Sequence, residues 1–436
     1  MLVVVALLVL LATLVIGVPI PLAFLTSAGS ICLLGGYDPA FLMIFGFNKT
    51  NSILLLTIPL FVLAGAIMDK GGIGEKLIST VEKFVGKAKG GLGVVTVVAC
   101  AVFGAVSGSS SATVSCIGSI MVPRLKENGY PDGLIGALLA SSGVLGILIP
   151  PSMLMILYAW SSGESVLACF LATVVPGMTL VILFSIVNLI YAQKNPNIKV
   201  YDHAIAAAQE KEAKKALKQK GTSAIPALLM PVIILGSIYG GILTATEAAA
   251  LSVIYAVPVG ILYYKRINGG ILKDALVSAG ETAGVIMAML FSVQILSRLY
   301  ISENLPSMIL GFLTSISDNK YIILIMVNIF MIILGMLMDD CSATILAAPI
   351  LLPVVTAIGI SPIHFAAILG VNIGMGNVTP PTAPLLYLAG RISKAEVKDM
   401  LGPDLALICF AWLPTLIITT YVPAYGMLLP SLLGYV

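Results

Sequence analysis

Asp339 and Asp340 stand side by side near the middle of an apolar stretch of about 30 residues, long enough to enter a bilayer and turn back. An unpaired carboxylate at that depth is costly, so an acid kept there is functional or paired. Asp340 is read as a ligand of a cation or of a substrate; the rival reading is a carboxylate capping the helix that follows. A second polar cluster, Ser109, Ser110 and Ser111, lies within Gly104 to Thr113 inside another apolar stretch. Its hydroxyls could serve the same chemistry, with helix capping again the rival. Neither cluster combines a nucleophile, a base and an orienting group, so no catalytic residue is assigned and the chain is not read as an enzyme.

Two further segments interrupt apolar runs: Ser141-Ser142-Gly143 through Pro150-Pro151-Ser152, and Asn372 to Asn377 through Thr379-Pro380-Pro381-Thr382. Proline removes a backbone donor and glycine loosens a helix, which frees carbonyls. Freed carbonyls and hydroxyls suit an alkali cation, and exposed helix N-termini suit an anion. Small residues that only let helices pack closely are the alternative.

The four features form two copies. Ser111-Ala112-Thr113 recurs as Ser342-Ala343-Thr344, a shift of 231 residues shared by Gly104 with Gly335, Pro131 with Pro362 and Gly143 with Gly374. With one residue deleted, Pro150-Pro151-Ser152 matches Pro380-Pro381-Thr382. Basic residues flank the first copy and hardly flank the second, so the second enters from the other face. Inverted repeats of this kind mark secondary transporters.

The elements that carry these features are membrane helices. Of 436 residues 59% are hydrophobic and 10% charged, which excludes a soluble fold, and strands alternating over about 10 residues, as a membrane barrel needs, are absent. The net charge of +3 and the lack of a basic run interleaved with aromatics speak against nucleic acid as a partner. Six scattered cysteines and two histidines make no zinc, haem or redox pattern, so no cofactor and no metal other than a coupling ion is expected. Twenty of the 23 lysines and arginines fall in residues 69–90, 123–132, 191–222, 265–274 and 391–399, which the positive-inside rule places in the cytoplasm. Residues 91–122, between two such stretches, must then leave and return, as a re-entrant hairpin does. Residues 192–223 read as an amphipathic connector on membrane lipid, and Met1 to Ile16 as a retained membrane segment.

In combination, Ile58-Pro-Leu-Phe-Val-Leu-Ala-Gly65, Gly104 to Thr113, Gly146-Ile-Leu-Ile-Pro-Pro-Ser152, Gly335-Met-Leu-Met-Asp-Asp340 and Gly374-Met-Gly-Asn-Val-Thr-Pro-Pro-Thr-Ala383 resemble the large membrane subunit of tripartite ATP-independent periplasmic (TRAP) transporters. The resemblance covers nearly the whole chain. It implies a sodium-coupled importer of an organic anion, such as a C4-dicarboxylate or a sialic acid, in the bacterial inner membrane. It also implies an elevator mechanism, a small four-helix membrane subunit as partner, and a periplasmic binding protein that delivers substrate. The chain starts directly in the large-subunit pattern, so the small subunit is expected as a separate chain.

The expected fold is an all-α polytopic membrane protein, an elevator-type transporter of the ion transporter superfamily. Residues 1–90 form the first scaffold segments and arm, and 91–160 the first transport repeat, with its hairpin at 91–122 and broken helix at 133–157. Residues 161–320 are scaffold, 321–390 the second repeat, with its hairpin at 321–352 and broken helix at 363–389, and 391–436 a C-terminal helix. Ser109, Ser111, Ser152, Arg298, Asp340 and Thr382 are the candidate substrate ligands. Ser110, Gly143, Asp340, Ser342, Gly374, Gly376, Asn377 and Thr379 are the candidate sodium ligands. Arg298 ends an apolar segment on the non-cytoplasmic side, where its fork could hold a carboxylate or simply snorkel to the interface. A self-sufficient sodium/dicarboxylate symporter and an anion channel are the competing functions.

Overall fold

Inside a bilayer every backbone N–H and C=O must find its partner within the protein, and for a chain this apolar helices are the open-ended solution. The computed structural model describes residues 2–84, 88–200 and 225–435. Among these the chain is helical throughout, apart from an isolated β-bridge between Lys89 and Val200. Among the described residues seven helices are long and apolar enough to cross a membrane: Ile53–Lys70, Val166–Lys194, Ala245–Tyr263, Gly269–Ser302, Lys320–Leu337, Asp340–Ala357 and Val397–Tyr421. An eighth crossing results if Asp132–Leu148 and Met153–Ser162, bent by 44°, count as one. Most of the connector expected at 192–223 lies outside the described residues.

One group of helices forms a frame. Ile20–Gly35 packs on Leu2–Val15 and on the long helix Gly269–Ser302, which also carries Pro39–Thr50 and Thr57–Lys70. Ala245–Pro258 lies against Thr57–Lys70, where the hydroxyls of Thr57 and Thr246 are 2.7 Å apart. The ends of these helices follow from their sequence. Asp38 accepts from Ala40 N at 2.9 Å ahead of a proline at the first helical position, and Thr244 with Glu247 closes a capping box on Ala245–Pro258. Outward-facing Val4, Leu8, Leu33, Phe47 and Phe312 stay exposed, as on a lipid-facing surface.

The second group holds the two copies. Gly91–Ser107, Ser110–Glu127, Asp132–Gly143 and Met153–Ser162 make the first; Lys320–Leu337, Asp340–Ala357, Pro362–Gly376 and Pro384–Ser393 make the second. Their helices run a few residues past the bounds expected from sequence and stop at left-handed positions, Gly129, Gly163, Gly359 and Lys394. The peptide bonds Pro150-Pro151 and Pro380-Pro381 are both cis.

Two helices depart from expectation. Val166–Lys194, grouped with the scaffold, packs on Gly91–Ser107 and Pro362–Gly376, members of both repeats. Small and polar contacts hold it there: a Cβ on Gly177 would stand 3.2 Å from Ile149, and Asn188 Nδ2 donates to Gly90 O at 2.8 Å. The single C-terminal helix is instead Val397–Tyr421 followed by Pro423–Leu432. Pro423 disfavours helical geometry in the residue before it, and Val422 sits at φ −116°, ψ 85°.

Between frame and repeats the link is Ile73–Phe84. It is tied to the first repeat by Glu82 and Arg124 at 2.5 Å, and to the frame's Arg266 by Glu75 at 2.9 Å.

Candidate functional site

The first polar cluster forms the turn between Gly91–Ser107 and Ser110–Glu127. Gly108, at φ +63°, ends the incoming helix, a backbone conformation that L side chains rarely adopt. Ser109 is extended, and its Oγ accepts from Ala112 N at 3.4 Å, capping the outgoing helix. Ser109 Oγ also lies 3.2 Å from Ser111 Oγ, and Ser111 is exposed. The capping reading of this cluster therefore holds for Ser109 and leaves Ser110 and Ser111 for other work.

The second turn separates two roles in adjacent acids. Met338 and Asp339 are extended, and Asp339 Oδ2 accepts from Cys341 N at 3.1 Å and Ser342 N at 3.3 Å. Asp339, not Asp340, is thus the helix cap. Ser342 Oγ donates to Asp339 Oδ1 and lies 3.0 Å from Met289 Sδ of the frame helix Gly269–Ser302, so its hydroxyl is already engaged.

Asp340, freed from capping, reaches across to the other repeat. Ser110 Oγ donates to Asp340 Oδ2 at 2.5 Å. A hydrogen bond to a charged acceptor is roughly twice as strong as a neutral one. In both outgoing helices a threonine turns its hydroxyl back to the carbonyl four residues earlier: Thr113 Oγ1 to Ser109 O and Thr344 Oγ1 to Asp340 O, each at 2.7 Å. These two threonines are the last residues of the repeated Ser-Ala-Thr, whose structural role the sequence did not reveal.

The interruptions brace the turns. Met153 N donates to Gly108 O at 3.1 Å in the first copy, and Thr382 Oγ1 donates to Met336 O in the second. Ser152, fully buried, donates to Ile147 O at 2.6 Å and accepts from Met155 N at 3.3 Å, as cap of Met153–Ser162. Gly143 faces the first hairpin: a Cβ there would stand 2.1 Å from Val114 Cγ2 and 3.4 Å from Ser110 O. Gly374 meets Val144 and Trp412. Thr379 Oγ1 donates to Met375 O at 2.6 Å, and Asn377, buried, follows the end of Pro362–Gly376 and accepts from Leu385 N at 3.2 Å through its carbonyl. Gly376 and Gly335 pack closely, a Cβ on Gly376 standing 2.8 Å from Gly335 Cα, and a Cβ on Gly104 would likewise stand 2.5 Å from Gly146 Cα.

Arg298 stands apart. It is exposed on Gly269–Ser302 with its guanidinium carbon 5.5 Å from the Phe45 ring centroid. No hydrogen bond or ion pair joins it to either turn among the described residues. Met289 is a neighbour of the site that sequence reasoning missed, since nothing in its local pattern separates it from the apolar residues around it.

Chemically, the site offers oxygens and helix N-termini. Ligand atoms of Asp339, Asp340 and Cys341 lie within 4.8 Å of one another, close enough to share a cation. The helices Ser110–Glu127 and Asp340–Ala357 both point their N-termini at the shared Ser110–Asp340 bond, so their partial positive charges favour an anion beside it.

Residues 5–425 match the family described as tripartite ATP-independent periplasmic transporter, DctM component. The chain is 33% identical over 392 residues to the C4-dicarboxylate TRAP transporter large permease protein DctM of Pseudomonas aeruginosa, covering 89% of this chain and 88% of that protein. It is 31% identical over 386 residues to the sialic acid TRAP transporter large permease protein SiaM of Vibrio cholerae, covering 88% of each. It is also 32% identical over 423 residues to the isethionate TRAP transporter permease protein DctMQ of Oleidesulfovibrio alaskensis, covering 95% of this chain; the chain spans 64% of that relative's length. Among solved structures, the YdaH transporter of Alcanivorax borkumensis has the same kind of fold, with a TM-score of 0.57 at 14% identity over 86% of this chain and 87% of that one.

Proposed function

Since this chain belongs to the DctM component family of tripartite ATP-independent periplasmic transporters and is a multi-pass protein of the bacterial inner membrane, we propose that it is the permease of a sodium-coupled importer of an organic anion. The observation that carries this reading is the 2.5 Å bond between Ser110 and Asp340, which joins the turns of the two repeats. If each turn stood at a membrane surface, one on either face, the two could not touch. On this reading both hairpins are re-entrant, and their tips meet within the membrane.

Sodium fits the donor set. Asp340 supplies a charge, Ser110 a hydroxyl, and the interrupted helices carbonyls at Gly143 and Gly374 with the side chains of Asn377 and Thr379. The substrate's anionic group sits beside the ion, facing Ser109, Ser111 and Asp340, with Ser152 and Thr382 holding the tips in place and Arg298 at the frame side of the route. Such a permease moves its cargo and makes no bond, so it is not an enzyme. A C4-dicarboxylate, a sialic acid and isethionate, the substrates in the relatives' names, share an anionic group, and that class is the substrate proposed here.

The two groups of helices support an elevator: the repeats move as one body past the frame, with Ile73–Phe84 as the arm between them. A small membrane subunit and a periplasmic binding protein complete the machine, and the longer relative, of which this chain spans 64%, supports the first of these. Uptake into proteoliposomes holding the chain and both partners tests the proposal. Accumulation driven by an inward sodium gradient, and lost when potassium replaces sodium, is expected. Uptake that proceeds unchanged in potassium with only a proton gradient overturns the coupling, and full uptake by the chain alone overturns the tripartite assembly.

A further inference from the structure

The C-terminal span holds a carboxylate that the proposed site does not use. Asp404 lies on Val397–Leu407, is 0% exposed, and neither of its oxygens has a hydrogen-bond partner among the described residues. The helix packs chiefly along Asp132–Gly143, and the small residues of that helix let it come close. A Cβ on Gly133 would stand 2.1 Å from Asp399 O, whose usual helical donor is removed by Pro403, and one on Gly136 would stand 2.7 Å from Met400 Cε.

Helical phase carries this seam forward. Residues three and four apart share a face, so Met400 is followed one turn later by Asp404, and Gly133 and Gly136 by Ala137 and Ala140. The two helices run the same way, since Val144 and Trp412, further along each, converge on Gly374. Asp404, one turn beyond Met400, therefore faces the same helix near Ala137 and Ala140, which continue the glycine-lined seam without a polar side chain.

We propose that Asp404 is a proton-binding site in the C-terminal span where it packs on the first repeat, carrying its carboxyl in the neutral form. A charge buried without a counter-charge is strongly disfavoured, and a bound proton removes it. A metal cation would call for several more oxygens, and Gly136, Ala137 and Ala140 bring no side-chain oxygen to this level. The titratable groups on the elements packed around Asp404 are Asp132, Cys169, Tyr191, Lys194, Tyr387, Arg391, Lys394 and Cys409, with Glu396, Lys398 and Asp399 on its own segment. None bonds to it: Asp132 pairs with Lys126 at 3.0 Å, Lys398 with Glu396 at 2.6 Å, and Tyr191 donates to Gly402 O at 3.4 Å.

The sign of the pH effect follows. The folded protein holds a proton that the unfolded chain releases, so Asp404 contributes stability that is lost as pH rises. The test is thermal unfolding of the purified chain as wild type, Asp404→Asn and Asp404→Leu, from mildly acidic to alkaline pH, in sodium and in potassium. The Tm of the wild type should fall relative to both variants by several degrees as pH rises, equally in either salt. Infrared spectra at neutral pH should contain a protonated-carboxyl C=O band that Asp404→Asn lacks. A Tm gap that is constant with pH, a missing band, or failure of both variants to fold overturns the proposal. Sodium-specific stabilisation of the wild type that Asp404→Asn loses would also overturn it, in favour of a metal ion. Each readout is independent of uptake, so a failure here is distinct from a failure of the sodium-coupled reading.

Discussion

Gly335 and Gly376 meet backbone to backbone: a Cβ on Gly376 would stand 2.8 Å from Gly335 Cα, and one on Gly335 would stand 3.1 Å from Gly376 Cα. Gly104 and Gly146 repeat the relationship in the first copy, where a Cβ on Gly104 would stand 2.5 Å from Gly146 Cα. The paired positions are 231 and 230 residues apart, the offsets by which the two sequences align. Internal symmetry thus extends from the sequence to the contact between hairpin and interrupted helix.

That contact predicts the cost of a methyl group. Gly376→Ala and Gly104→Ala should each lower stability by about 1–3 kcal/mol, because the neighbour is backbone and cannot swing aside. Gly280, on Gly269–Ser302 with nothing near its Cβ position, is the control; Gly280→Ala should be neutral or stabilising by up to about 1 kcal/mol. Thermal melts of the three variants decide it, and equal melting temperatures would mean the close contact is absent.

The adjacent acids should separate by assay. Asp339→Ala removes two accepted backbone bonds and should cost about 0.5–2 kcal/mol of stability. Asp340→Asn should leave the melting temperature nearly unchanged, since the amide oxygen can still accept from Ser110. Melting curves showing the opposite ranking would reverse the two roles.

Arg298 is predicted to act through its fork rather than through its charge alone. Arg298→Lys keeps the charge but loses the planar, bidentate geometry. It should raise KM for the anion by about tenfold, roughly 1.4 kcal/mol, with little change in melting temperature. An unchanged KM would leave Arg298 as an interfacial side chain stacked on Phe45.

Much of this was legible beforehand because apolar runs, polar tips and a repeated spacing are one-dimensional signals. The turns fall at Gly108-Ser109 and Met338-Asp339, inside the two clusters singled out from sequence. Which acid caps was not legible. The choice depends on Met338 and Asp339 both being extended, which moves the cap one residue earlier than the Ser-Ala-Thr alignment with Ser109 implies. Nor was the placement of Val166–Lys194 legible, because a helix apolar over most of its circumference shows no periodic face to tell frame from repeat. Asp404 was overlooked for a related reason: it follows a basic, polar segment and reads as its continuation until the packing of Gly133 and Gly136 shows it to be buried.

The account rests on Asp340 and Ser110 forming one site from two repeats, and sodium-dependent uptake by Asp340→Asn, measured per folded molecule beside its melting curve, tests it most directly. The assay uses the chain with its small membrane subunit and binding protein in proteoliposomes. The predicted result is a variant that inserts and melts like the wild type yet has lost coupled uptake or needs far more sodium, with a milder defect in Ser110→Ala, where neighbouring carbonyls remain. Normal sodium-dependent uptake by Asp340→Asn would contradict the account.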